Sequence, residues 1–125
     1  MLKKKTGKKP ARPGQQKVLD LIIKTALEKK GADISLINLI GIFPLADYFL
    51  LVTGKNVPHL KTLAEEIKNE VYEKFKITAK KEGLPESRWL ILDFGNIIVH
   101  IIGAREREYY GLDKLWSKAA VTYHY

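Results

Sequence analysis

The chain has 125 residues, 46% of them hydrophobic and 29% charged, which is the length and balance of one domain around one core. It has no cysteine. That excludes disulfides, thiolate nucleophiles and zinc–cysteine sites, and it fits a reducing, cytoplasmic setting. No apolar run is long enough to span a bilayer, and the three histidines, His59, His100 and His124, show no metal-ligand spacing.

The net charge of +8 is concentrated at the amino end. Lys3, Lys4, Lys5, Lys8, Lys9, Arg12 and Lys17 precede the first acid, whereas the remaining bases and acids nearly cancel. Residues 1–14, "MLKKKTGKKPARPG", also carry two prolines and two glycines. This composition predicts a basic arm, disordered when free, ahead of a single folded unit over 15–125. The arm has no apolar segment of signal-peptide length, so secretion is not expected. Its lysines could hold RNA phosphates by releasing counterions, or they could simply be a solvated tail.

The first helix is expected from near Gln15 to Lys30. Val18, Leu19, Ile22, Ile23, Ala26 and Leu27 form one apolar stripe, and Gly31 is a natural stop. "DISLINLI" (33–40) has the β-branched and aliphatic content of a strand. Gly41 and Pro44 break the pattern, and "ADYFLLVTG" (46–54) predicts a second, largely buried strand. In the next segment Asn56 is a candidate N-cap and Pro58 suits a first turn. Leu60, Leu63, Ala64, Ile67, Val71 and Phe75 then recur every three or four residues, as in an amphipathic helix. A short strand is expected at 77–80 and a loop at "EGLPES".

"RWLILDF" and "IIVHII" flank Gly95-Asn96, a two-residue hairpin signal. With Phe94 opposite Ile97, one face carries Leu90, Leu92, Phe94, Ile97, Val99 and Ile101 and is wholly apolar. The other carries Trp89, Ile91, Asp93, Ile98, His100 and Ile102, where polar groups interrupt apolar ones. The segment "AREREYYGLDKLWSKAA" predicts helical turns interrupted near Gly111, with Leu112, Leu115 and Trp116 docking on one side. Helices alternating with strands and then a hairpin indicate a mixed α/β layer structure.

Several fragments suggest chemistry and then fail on context. "DFG" lacks the glycine-rich and catalytic loops of a kinase. "TGK" at 53–55 lacks the leading glycine and the Lys-Ser/Thr ending of a P-loop. Asp93 and His100 fall diagonally across the hairpin, which could make an acid–base pair. No nucleophile or second carboxylate stands ready to work with them, so a histidine held by an aspartate is the preferred reading. Trp89, Arg107 and Tyr110 are of the types enriched at interface hot spots, and they are equally common at core edges.

Three blocks in order carry a resemblance: "ADYFLLVTG", then "EG" followed five residues later by "WLILDFGNIIVH", then "REYYGLDKLW". Together they resemble the ribosomal silencing factor family (RsfS, the Iojap-like proteins), from about Gln15 to Ser117. Asp47, Thr53, Gly54, Glu82, Gly83, Trp89, Asp93, Gly95, Val99, His100, Arg107, Tyr110, Leu112, Leu115 and Trp116 match the family pattern by position. The chain departs from it at Asn96, which replaces an Asp, at Asp113 in place of a Glu, at "NVPH" (56–59) in place of a Ser and an Arg-bearing helix start, and at Asn38, where an Asp is common.

The resemblance implies a mixed sheet of about five strands packed with helices, related to nucleotidyltransferases but with no catalytic role and no cofactor. It implies binding to the large ribosomal subunit through ribosomal protein L-fourteen (uL-fourteen), exclusion of the small subunit, and repression of translation under nutrient limitation. It also implies homodimers. The residues expected to meet the partner are Trp89, Asp93, Asn96, Arg107, Tyr110 and Glu82, with rRNA contact by Lys3, Lys4, Lys5, Lys8 and Lys9. The alternatives are a nucleotidyltransferase-like enzyme, for which no carboxylate pair is found, and a general RNA-binding module driven by the arm.

Overall fold

A computed structural model describes residues 14–117 and 120–125. The arm lysines expected to contact RNA lie outside the described residues. The elements are α1 (Gln15–Glu28), β1 (Ala32–Asn38), β2 (Tyr48–Gly54), α2 (Val57–Phe75), β3 (Lys80–Glu82), β4 (Trp89–Asp93), β5 (Ile97–Gly103), α3 (Ala104–Tyr109), α4 (Leu112–Leu115) and β6 (Val121–His124).

The six strands form one mixed sheet in the order β3-β4-β5-β2-β1-β6. Only the central β2–β5 pair is parallel; the other neighbours run antiparallel. The expected sheet of about five strands is therefore one short. β6 lies beside β1, with Leu36 opposite Tyr123. Its four residues follow the last helical turns too closely to show a period of their own. The strand expected at 77–80 is displaced to Lys80–Glu82, because only residues 80–82 find partners on β4.

Both long helices pack on one sheet face. Leu19 and Ile22 of α1 and Leu60, Leu63 and Ile67 of α2 bury against Leu36, Leu50, Val52, Leu90, Leu92, Val99 and Ile101. These side chains are essentially without solvent contact, and each is worth about 1.5–3 kcal/mol of transfer free energy. The predicted hairpin register holds: Leu92 faces Val99, Leu90 faces Ile101, and the Phe94 N–H donates to the Ile97 carbonyl at 2.9 Å. Gly95 takes φ 93° and no positive φ occurs at Asn96, the pattern of a II′ rather than a I′ turn.

The helix ends follow their chemistry. The Asn56 side chain caps α2 by accepting from the His59 N–H at 2.9 Å. The His59 ring in turn accepts the Lys55 N–H on Nδ1 at 2.9 Å. Its proton therefore sits on Nε2, which donates to the Lys29 carbonyl at 2.8 Å and ties the end of α1 to the start of α2. At the end of α1, Lys30 rather than Gly31 takes the left-handed conformation, with φ 67°. Gly31 is needed for space: a Cβ there would lie 2.6 Å from Val52 Cγ1.

Candidate functional site

The second sheet face is half covered. Strand pairing places Glu82, Ile91, Ile98, His100, Phe49, Leu51, Ile37 and Ser35 on it in neighbouring rows. After β5 the chain crosses to this face. There Leu112 and Trp116 pack on a small core of Ile37, Leu39 and Leu51, together with Phe43 and Phe49. Leu115 does not dock with them as expected: it is 62% exposed, because the short α4 offers only one inward side. Over β3, β4 and the start of β5, no helix or strand among the described residues covers the face. Trp89, Ile91, Asp93 and Ile98 are half-buried there.

Aromatic rings join the covered and open halves. Tyr109 meets Tyr110 at 5.0 Å between ring centres, Tyr110 meets Trp89 at 4.9 Å, and Trp89 meets His100 at 5.9 Å. His100 meets Phe49 edge-on at 4.7 Å, and Phe49 meets Phe43 and Trp116. Tyr109 and Tyr110 are exposed at the outer end of this ladder. Such tilted and edge-to-face pairs contribute about 0.5–1.5 kcal/mol each beyond their buried area.

His100 is held by Trp89, not by Asp93. The indole Nε1–H donates to His100 Nδ1 at 3.0 Å, which leaves the imidazole proton on Nε2. That atom is buried and has no hydrogen-bond partner among the described residues. Burial pushes the His100 pKa down to about 4, so the ring is neutral at physiological pH. Asp93 instead accepts the Gly95 N–H at 2.7 Å and closes the turn. The Asn96 carbonyl then accepts the N–H groups of Asp47 and Tyr48, at 2.8 and 3.1 Å, locking the turn onto the start of β2. The acid–base pair weighed from the sequence is therefore not assembled.

Of the residues expected to meet a partner, Trp89, Asp93 and Glu82 share the open face, Tyr110 stacks on its edge, and Asn96 is exposed at the hairpin tip. Arg107 is placed differently. It is 7% exposed, and all five of its donors are used. Nε and Nη2 form a fork onto Asp113, both at 2.7 Å. Nη2 also reaches Ser35 Oγ at 3.0 Å, while Nη1 reaches Thr53 Oγ1 at 3.0 Å and the Asp33 carbonyl. The Arg107 hydrogen bonds hold the Asp113 carboxyl below its usual range. In this arrangement Arg107 fastens the α3–α4 segment, and with it Tyr110, to the ends of β1 and β2. In the sequence Asp113 stands out only as a departure from the family pattern, and nothing local marks Ser35 as a partner of Arg107. A pairing 72 residues apart leaves no local signal.

Among the described residues, no group of three or more His, Cys, Asp or Glu side chains could hold a metal ion, and no helix is long and apolar enough to cross a membrane. Four concavities lie at the ends of the sheet and beside α1, and Trp89, Ile91 and Ile98 line none of these four. An open face with aromatic side chains is suited to another macromolecule's surface.

Comparison with known proteins agrees with this architecture. The family model described as "Ribosomal silencing factor during starvation" matches residues 12–124. The ribosomal silencing factor RsfS of Bacillus subtilis is 35% identical over 86% of this chain and 92% of its own length. The RsfS of Halalkalibacterium halodurans is 33% identical over 83% and 89%. A mouse protein named "Mitochondrial assembly of ribosomal large subunit protein 1" is 27% identical over 79% of this chain and 45% of its own. Among solved structures, a Chromobacterium violaceum protein superposes with a TM-score of 0.77 at 25% identity, covering 82% of this chain and 85% of its own. One from Bacillus halodurans gives 0.71 at 31% identity, covering 85% and 97%. With two of its three sequence blocks in the mixed sheet, the third in the helical turns packed on it, and a family match over residues 12–124, this protein belongs to the ribosomal silencing factor family.

Proposed function

We propose that this protein binds the large ribosomal subunit through ribosomal protein L-fourteen and, by occupying that surface, keeps the small subunit from joining. The observation that carries this reading is the open half of the second sheet face. It presents Trp89, Ile91 and Ile98 half-buried, with Tyr110 stacked at one side and the carboxylates of Glu82 and Asp93 among them. An apolar, aromatic centre with charged groups around it is the anatomy of a protein–protein contact. Family membership points to the ribosome as partner, and the mouse relative's name points to its large subunit.

On this reading the mechanism is steric, and no bond is made or broken. Arg107 acts from inside, by holding the segment that carries Tyr110. Asn96 offers a neutral amide at the hairpin tip. The basic arm, through Lys3, Lys4, Lys5, Lys8 and Lys9, adds sequence-independent attraction to rRNA phosphates.

The test is cosedimentation with separated subunits, followed by addition of the missing one. The protein should travel with large subunits only and suppress joined ribosomes. Trp89→Ala, folded by circular dichroism, should weaken binding by about 2 kcal/mol or more, roughly thirtyfold in Kd. Equal binding to both subunits, or wild-type affinity in the folded variant, would refute the assignment.

A further inference from the structure

A second place in the fold has the build of a ligand site and takes no part in the proposed ribosomal contact. β2 and β5 are parallel neighbours that end side by side, with Gly54 opposite Gly103. From Gly54 the chain turns to α2 on one sheet face; from Gly103 it turns to α3 on the other. The connections leave in opposite directions, so a crevice must open between the two carboxyl ends. In open α/β sheets this is where ligands bind. Here it is a concavity of about 400 Å³.

The crevice is lined by Lys55 from the end of β2, Arg88 from just before β4, and Arg105 from the first turn of α3. All three are exposed. None has an ion pair or side-chain hydrogen bond among the described residues, in contrast to the nearby Arg107. Three unpaired cations from three separate segments facing one concavity repel one another. An anion placed between them removes that repulsion. The amino end of α2 also opens nearby, but the Asn56 side chain already serves the His59 N–H, so the cations carry the argument.

We infer that this crevice binds the phosphates of a small ligand, a nucleoside polyphosphate. Two features favour a small ligand over an RNA backbone. Asp33 and Glu106 also line the concavity, and Glu108 and Asp113 line the neighbouring cleft. An extended polyanion would run from the cations onto these carboxylates. A compact ligand can set its phosphates on the cations and its ribose hydroxyls on a carboxylate, which accepts hydrogen bonds. The volume is also of mononucleotide size.

The test uses the full chain and titrates fluorescently labelled GTP by anisotropy, with pyrophosphate and a single-stranded RNA oligonucleotide as competitors. The arm is the same in every sample, so comparison with Lys55→Gln/Arg88→Gln/Arg105→Gln reads the crevice alone. These side chains are exposed, and circular dichroism checks the fold; each single substitution repeats the measurement should the triple variant misfold. Saturable binding displaced by pyrophosphate is expected, weakened about tenfold or more in the triple variant, with RNA affinity unchanged by it. Binding absent at millimolar ligand overturns the inference. So does binding untouched by the three substitutions. An equal loss of RNA and nucleotide affinity overturns it too, since the crevice would then be an RNA phosphate contact. None of these outcomes depends on ribosome binding, so this inference and the ribosomal reading can fail separately.

Discussion

His100 makes the stability of this fold depend on pH in a calculable way. The ring is 7% exposed, and its burial lowers its pKa from 6.5 to about 4. In the unfolded chain the histidine takes up a proton as the pH drops below about 6.5; in the folded chain it resists until about 4. Between these values the unfolded state binds more protons, so stability rises with pH. The contribution is complete above 6.5 and is lost as the pH falls toward 4. One pKa unit corresponds to about 1.4 kcal/mol, so the loss is about 2 kcal/mol at pH 5 and about 3 kcal/mol at pH 4. A small domain has only about 5–15 kcal/mol in total. The assay is urea unfolding at pH 7, 6 and 5 for the wild type and for His100→Gln, which cannot titrate but keeps an acceptor for Trp89. The wild-type midpoint should drop steeply across this range and the variant's should stay flatter, the difference in free energy reaching about 2 kcal/mol at pH 5. Identical pH dependence in the two proteins would refute the reasoning, because no other group differs between them.

Two further substitutions probe the supports of the open face. Arg107→Met removes a guanidinium that makes five buried or half-buried hydrogen bonds. It should cost about 3 kcal/mol or more, measured by chemical denaturation, while Asp113→Asn should cost less because the carboxylate side chain is 45% exposed. The double variant should fall well short of the sum; additivity within about 0.5 kcal/mol would mean the fork is not coupled. Gly83→Ala should cost about 2 kcal/mol or more, because φ there is 95° and the new Cβ would lie 2.4 Å from the Trp89 carbonyl oxygen. A thermal midpoint within about 2 °C of wild type would show that the β3–β4 turn has room to relax.

The parts of the fold visible in the sequence are those governed by local periodicity. α2 shows a complete signature: Asn56 caps it, Pro58 sits in its first turn, and Leu60, Leu63, Ala64, Ile67 and Val71 all point inward. The hairpin is equally legible, because a two-residue turn fixes the register of every following pair. Legibility ends where partners are distant or elements are short. β3 and β6, of three and four residues, exist only because a neighbour pairs with them. Gly31 invited a conformational explanation, yet its reason is Val52, twenty-one residues away.

The site shows the same division more sharply. The sequence shows Trp89, His100 and Tyr110 as residue types, but a type does not distinguish a side chain that faces a partner from one that holds its neighbour. The geometry makes that distinction. Trp89 does both: its ring is half-buried at the open face, and its N–H fixes His100 below. Arg107 is committed inward. Its acceptors come from positions 33, 35, 53 and 113, which only the folded sheet brings together. The two residues should therefore separate in experiment. Trp89 substitutions should weaken association at little cost to folding beyond the His100 bond. Arg107 substitutions should act first on stability, and on association only through Tyr110, which rides on the segment that Arg107 fastens. A surface built this way keeps its outward residues free to match a partner, because the order of the patch is maintained from beneath.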